Sequence, residues 1–168
     1  MKKFRKAIDR ALEIMMVVTM IILMLDVLWQ VASRYLNKLL VNHFALQIPT
    51  KYYAFTDELA GFLLIWVALL GSAYATGKKQ HLAIDLLITK LGREGKIILS
   101  GIINFLIFLF AVSVLLVGGT WLVYTRFYLG QVSSTMEIPI GFVYLIVPLS
   151  GLLISYYAAD DFYTLQKK

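Results

Sequence analysis

The sequence predicts an all-α integral membrane protein: four transmembrane helices plus short interfacial amphipathic helices, in a single membrane domain over residues 1–168. Hydrophobic residues make up 60% of the chain, well above the roughly 45–50% of soluble proteins. Four apolar blocks, approximately residues 12–36, 58–76, 97–123 and 138–158, are each long enough for the ~20 residues that cross a ~30 Å hydrocarbon core. The blocks do not alternate as barrel strands do. A helix satisfies its own backbone hydrogen bonds inside lipid, so the blocks read as helices.

The first block follows a basic start, Met1 to Lys6, that looks like a signal peptide. The apolar run continues through Trp29 to Tyr35 with no convincing small-residue cleavage site, so it reads as an uncleaved signal anchor. No glycine or proline occurs from Phe4 to Leu40, and a helix over those residues would reach about 55 Å, past the bilayer at both ends. The first outer connection, Asn37 to Asp57, mixes aromatics with Pro49 and is a place for a further short interfacial segment. Between the second and third blocks, Ile84, Leu87, Ile88 and Leu91 recur at helical spacing, with Asp85, Thr89 and Lys90 on other faces. This predicts an interfacial helix over about 82–92, ended near Gly92.

Charge sets the orientation. Twelve Lys and Arg residues lie in the N-terminus, the second connection and the C-terminus, against four on the other side: Arg34, Lys38, Lys51 and Arg126. The positive-inside bias places both termini in the cytoplasm of a multi-pass inner-membrane protein. It also accounts for the net charge of +6, because the cations lie between apolar blocks and form no nucleic-acid patch.

The chemistry is sparse. With no cysteine, a disulfide framework, a thiol catalyst and an iron–sulfur centre are excluded. The only histidines, His43 and His81, lie outside the apolar blocks, which argues against a haem between helices. His81 and Asp85 stand at i and i+4 but are too few for a zinc site, and read as a pair fixing the start of the interfacial helix. No nucleophile–base set, phosphate loop or metal cluster points to an enzyme, a cofactor or a bound metal.

Asp26, Gln30, Ser33 and Asn37 form one polar stripe on the first helix, with Thr19 a heptad before Asp26. A carboxylate inside a span costs about 2.5–3.5 kcal/mol on insertion scales and needs a partner or a watery niche. The stripe reads first as a face that hydrogen-bonds another helix, and second as a proton relay. Asp57 and Glu58 at the outer start of the second span suit either the helix macrodipole or a basic partner chain. Ala68, Ser72 and Ala75 on the second helix, and Gly151 and Ser155 on the fourth, are small-residue faces that permit close helix approach. Gly118-Gly119 marks a kink or a crossing point, and Asn104 in the third span is expected to bond to a neighbouring helix. Trp121, Tyr124, Phe127 and Tyr128 fit an outer interfacial belt. Together these describe a compact four-helix protein without its own chemistry.

Several motifs then occur in a recognisable order. Trp29-x4-Arg34-Tyr35 closes the first span, Asp57-Glu58-Leu59 opens the second, and Trp66-x4-Gly71 follows. His81-Leu-Ala-Ile84-Asp85 comes next, then Ile138-Pro139, Tyr144 and Ile146-Val-Pro148-Leu149. From about residue 10 to 160 the chain resembles the small membrane subunit of tripartite ATP-independent periplasmic (TRAP) transporters, closest to those of sialic acid systems. The resemblance implies a non-catalytic scaffold in a sodium-coupled importer of organic acids. Its partners would be a large elevator-type membrane subunit, a periplasmic substrate-binding protein and membrane lipid. The large subunit would pack on Asp26, Gln30, Ser33, Ala68, Ser72, Ala75, Gly151 and Ser155, and the binding protein would dock near Asp57, Glu58 and Glu137. The alternative is a stand-alone four-helix proton-coupled exchanger in which Asp26 titrates. A membrane oxidoreductase is disfavoured by the missing cysteines and membrane histidines.

Overall fold

The computed structural model describes residues 2–44, 51–78 and 93–165. These form α1 (Lys2–Phe44), α2 (Lys51–Gly77), α3 (Arg93–Phe110), α4 (Gly119–Tyr128), α5 (Ile140–Tyr144) and α6 (Ile146–Leu165). A π-helical stretch, Ala111–Gly118, joins α3 to α4 in one continuous rod. Among the described residues, four lengths are long and apolar enough to cross a membrane: Arg5–Val41, Ala54–Gly77, Ile98–Tyr128 and Ile140–Phe162. The interfacial helix expected over about 82–92, with His81 and Asp85, lies outside the described residues.

With nothing to break it, α1 runs for 43 residues, about 65 Å at helical rise. Helix also takes up most of the first outer connection. α1 continues to Phe44 and α2 already starts at Lys51. Asp57 and Glu58 therefore sit in the second turn of α2, beyond the unpaired N–H groups that would give a macrodipole cap its strength.

The spans do not close into a compact bundle. Each packs on its neighbours in a row: α1 on α2, α2 on α6, and α6 on the α3–π–α4 rod. α1 meets α6 only near the chain termini, where Leu12 joins Leu70, Ile146 and Tyr157 in one buried cluster. A second cluster, Ala73, Ala111 and Ile154, joins α2, the π stretch and α6. α6 contributes to both and is the middle plank of the row. The two outer members leave long apolar faces bare, as the exposed Ile14, Leu25, Trp29, Phe105 and Leu109 show.

Glycines let α6 lie against the rod. A Cβ on Gly151 would stand 2.7 Å from Leu115 Cβ and 2.9 Å from the Leu115 and Leu116 backbone, and one on Gly119 would meet Val147 and Pro148 at 2.9–3.1 Å. Gly119 thus marks a crossing point; at Gly118 a Cβ would make only ordinary contact. In the π stretch the Gly119 N–H reaches back to Val114, Leu115 and Leu116. Ser113 Oγ donates to the Leu109 carbonyl at 2.6 Å, a side-chain competitor for the helical ladder.

Pro148 explains the break between α5 and α6. It cannot donate to the Tyr144 carbonyl and its ring crowds that oxygen, and α5 ends at Tyr144. The carbonyls of a helix's last turn lack intrahelical donors. One of them, Val143, accepts Trp66 Nε1–H at 3.0 Å, so an α2 indole satisfies the α5 end.

Two glycine substitutions should separate packing from helix propensity. Gly151→Ala drives its methyl into rigid backbone and should lower stability by ~1–3 kcal/mol. Gly101→Ala on α3, where a Cβ meets nothing within 4 Å, should raise it by up to ~1 kcal/mol. Thermal unfolding of the purified chain in detergent checks both signs.

Candidate functional site

The polar stripe of α1 faces the α2 seam. Leu12, Met16, Thr19, Leu23, Asp26, Gln30, Ser33 and Asn37 are the less exposed residues along the helix, while their neighbours are exposed. The register is antiparallel, with Gly71 facing the Met16 sulfur and Gln30 reaching Asp57. Along this face the residues differ in how they are satisfied. Thr19 donates to the Met15 carbonyl at 2.7 Å, Ser33 to the Trp29 carbonyl, and Gln30 to Asp57. Asp26 is the exception, because its buried Oδ2 has no hydrogen-bond partner among the described residues. The same register puts Gly61 level with Asp26, and a Cβ on Gly61 would meet nothing within 4 Å.

At the loop end both acids of α2 are engaged inside the chain. Arg34 Nη2 contacts both Asp57 oxygens at 2.8 and 2.9 Å, which ties α1 to α2. The pair is half-exposed. Glu58 accepts the backbone N–H groups of Ser134 and Thr135 at 3.3 and 3.0 Å and pins the turn that follows α4. The turn is closed by Ser133 N–H to Ile138 O at 2.9 Å and Ile140 N–H to Gln131 O at 3.0 Å. Arg126 donates to Gln131 and lies 5.6 Å from the Tyr144 ring centre. Gly130 and Glu137 take left-handed φ values of 58° and 56°. Glu137 is exposed, and its conformation, costly for a non-glycine residue, is fixed by the turn.

The end holding both termini carries a network that the sequence reading missed. Arg5 donates to Asp160, to Asp161 at 3.1 Å, and to the Gly77 carbonyl at 2.7 Å. That carbonyl belongs to the last residue of α2, where unpaired carbonyls and the negative dipole end attract a cation. The guanidinium lies 5.4 Å from the Tyr157 ring centre. Tyr157 O–H donates to Asp9 at 2.6 Å, and Lys78 Nζ is 3.9 Å from Asp9. A Cβ on Gly77 would stand 2.9–3.1 Å from the Tyr157 ring, so a larger residue here would have to push that ring aside. The available signal was three acids, Asp9, Asp160 and Asp161, at an end otherwise dominated by cations.

The small-residue faces divide. Gly151 is taken up inside the chain, with Ser150, Ala73 and Ala158 also buried, whereas Ala68 and Ser72 are exposed and Ala75 and Ser155 half-buried. The Asn104 side chain makes no hydrogen bond among the described residues, in contrast to the bond to a neighbouring helix expected for it. Trp121, Tyr124 and Tyr128 form an outward aromatic ladder on α4, with ring centres 6.2 and 6.0 Å apart. Phe127 turns instead onto Gly141 and packs edge-on against Phe142. Among the described residues no group of His, Cys, Asp and Glu is arranged to hold a metal.

Arg5 can be tested by substitution. Arg5→Ala takes one hydrogen-bonded cation from the buried Asp161, 4% exposed, and should cost ~1–3 kcal/mol. Arg5→Lys should recover only part, because one ammonium cannot serve two carboxylates and a carbonyl together. Melting temperatures of the three proteins in one detergent give the comparison.

Comparison with known proteins fits this four-span, non-catalytic membrane chain. One curated relative, from Haemophilus influenzae and named "Putative TRAP transporter small permease protein", is 28% identical over 100 residues, covering 60% of each chain. The chain thus spans about 60% of that relative's length. The family model "Tripartite ATP-independent periplasmic transporters, DctQ component" matches residues 23–168. That stretch contains most of the first span and all of the other three, so the chain belongs to the DctQ family of TRAP transporter components, a family of transporter parts and not of enzymes.

Proposed function

We propose that this chain is the small scaffold subunit of a sodium-coupled TRAP importer for organic acids, with sialic acid the first solute to test. It would sit in the bacterial inner membrane with both termini cytoplasmic, pack against a large elevator-type membrane subunit, and help dock a periplasmic binding protein. The observation that carries the scaffold role is the open row of helices. A row has bare faces on both outer members, and a stationary wall against which another subunit moves requires such faces. Twelve cations against four support the orientation. The solute and the sodium coupling rest on the motif resemblance alone.

Within this reading the contact residues narrow. Ala68 and Ser72 are the small residues left outside for a partner helix. Asp57 and Glu58 hold the fold together, so Glu137, exposed at the tip of the outer turn, is the acid best placed to meet the binding protein.

The purified chain alone, in liposomes with a sodium gradient, should take up neither sialic acid nor dicarboxylates. Coexpressed with the large subunit it should copurify with it, and adding the binding protein should restore uptake. Uptake by the single chain would instead favour a stand-alone exchanger built on Asp26. Asp26 gives a second discriminator. Its orphan oxygen means that Asp26→Leu should cost the isolated chain little stability. In the assembled transporter Asp26→Asn should keep transport and Asp26→Leu reduce it, if a partner donor completes the site; a proton relay would be lost in both.

Rim charges set encounter rate and salt response more than affinity. Glu137→Lys should therefore raise the binding-protein concentration needed for half-maximal uptake and flatten its salt dependence, with assembly unchanged. Uptake curves at low and high salt, beside Asp57→Lys as a variant that weakens the fold, separate the two effects.

A further inference from the structure

An open groove of ≈ 610 Å³ lies outside the seam between α1 and α2 at the end holding the termini, lined by Lys6, Ala7, Asp9, Arg10, Glu13 and Lys78. Its charges are not equivalent. Asp9 is held by Tyr157 and approached by Lys78, so its charge is already met from within. Lys6 and Arg10 are exposed and form no ion pair among the described residues. Glu13 is also unpaired and is the one uncommitted acid. In sequence, Lys2 and Lys3 precede the groove residues and Lys79 follows them.

The adjoining surface is apolar. Within two turns of Arg10 the helix exposes Ile14, Val17 and Val18 to 56, 50 and 48%, and Ile21 follows at 53%. A free phosphate would use the cations and leave this flank bare. An anionic glycerophospholipid uses both, with its phosphate at Lys6 and Arg10 and its acyl chains along the apolar flank. Basic pockets at the ends of membrane helices take anionic headgroups in this way, and the long Lys and Arg stems let the charges reach the headgroup level. The fold gives this a structural use, because α1 has only α2 beside it over most of its length.

We infer that this groove is a binding site for one anionic phospholipid that braces the free edge of α1. The inference needs only the membrane-spanning fold, not the transporter role proposed above.

Native mass spectrometry of the full chain, released from micelles containing equal phosphatidylglycerol and phosphatidylcholine, tests it. The chain should retain one phosphatidylglycerol in clear preference to phosphatidylcholine. Arg10→Gln or Lys6→Gln should each weaken that retention about fivefold, the worth of one cation near a headgroup, while Arg10→Lys restores it. Lys38→Gln removes the same charge at the opposite end and should change nothing. Both groove residues are exposed, so the variants should melt as wild type does without lipid, and added phosphatidylglycerol should raise the melting temperature of wild type more than theirs. Equal retention of the two lipids by wild type would overturn the proposal, as would equal losses in Lys38→Gln and Arg10→Gln. Stabilisation by inorganic phosphate matching that by phosphatidylglycerol would overturn it too, in favour of a free-phosphate site.

Discussion

The close approach of α6 to the α3–π–α4 rod is the constraint on which the rest of this structure depends. Gly119 and Gly151 have no side chains to hold the helices apart, and the backbones meet at a separation that no Cβ would tolerate. In lipid there is little hydrophobic drive between helices, so association rests on such van der Waals contact and on satisfied polar groups. With α6 seated there, its other side offers Ile146 and Tyr157 to α2 and to the tip of α1. The ties at the ends then complete what packing begins. Trp66 closes the α5 carbonyl, Arg5 closes the α2 carbonyl, and Arg34 with Asp57 holds α1 along α2.

Much of this was legible in the sequence, for a physical reason. Lipid demands long continuous apolar helices, so the four spans announce themselves. The stripe from Thr19 to Asn37 was also readable, since a polar face on a membrane helix must turn toward protein, and here it turns toward α2. The arrangement of the spans was not legible. Hydropathy gives the number of helices and says nothing of neighbours, so an open row and a closed bundle look alike. The π stretch hides for a similar reason: it lies where the rod crosses α6, which is not visible as a composition change. The Asp57-Glu58 pair looked like a helix start because its upstream residues, Lys51 to Thr56, are too polar and aromatic to read as membrane core. They are helical nonetheless.

The site residues divide along the same line. Those named for charge or hydrogen bonding, such as Asp57 and Gln30, turned out to be engaged within the chain. Those named for smallness split between the interior, as with Gly151, and the open faces, as with Ala68 and Ser72. Spacing shows that a helix has a small face; only the fold shows which neighbour has claimed it. Asp26 belongs to neither group, being polar, buried at one oxygen and unmatched.

The row has one more consequence, which concerns synthesis. The spans lie in space in the order first, second, fourth, third. The fourth span, synthesised after the other three, is therefore the one that joins the two halves. Until it inserts, the first two spans can form a hairpin, and the third is held to them at the loop end, where Glu58 accepts from Ser134 and Thr135, without its main packing surface. A chain stopped ahead of the fourth span would thus lack the middle of the row while keeping both of its edges. A nascent chain halted before residue 140 would leave the third span without its main packing surface, with Gly119 facing lipid where Pro148 belongs.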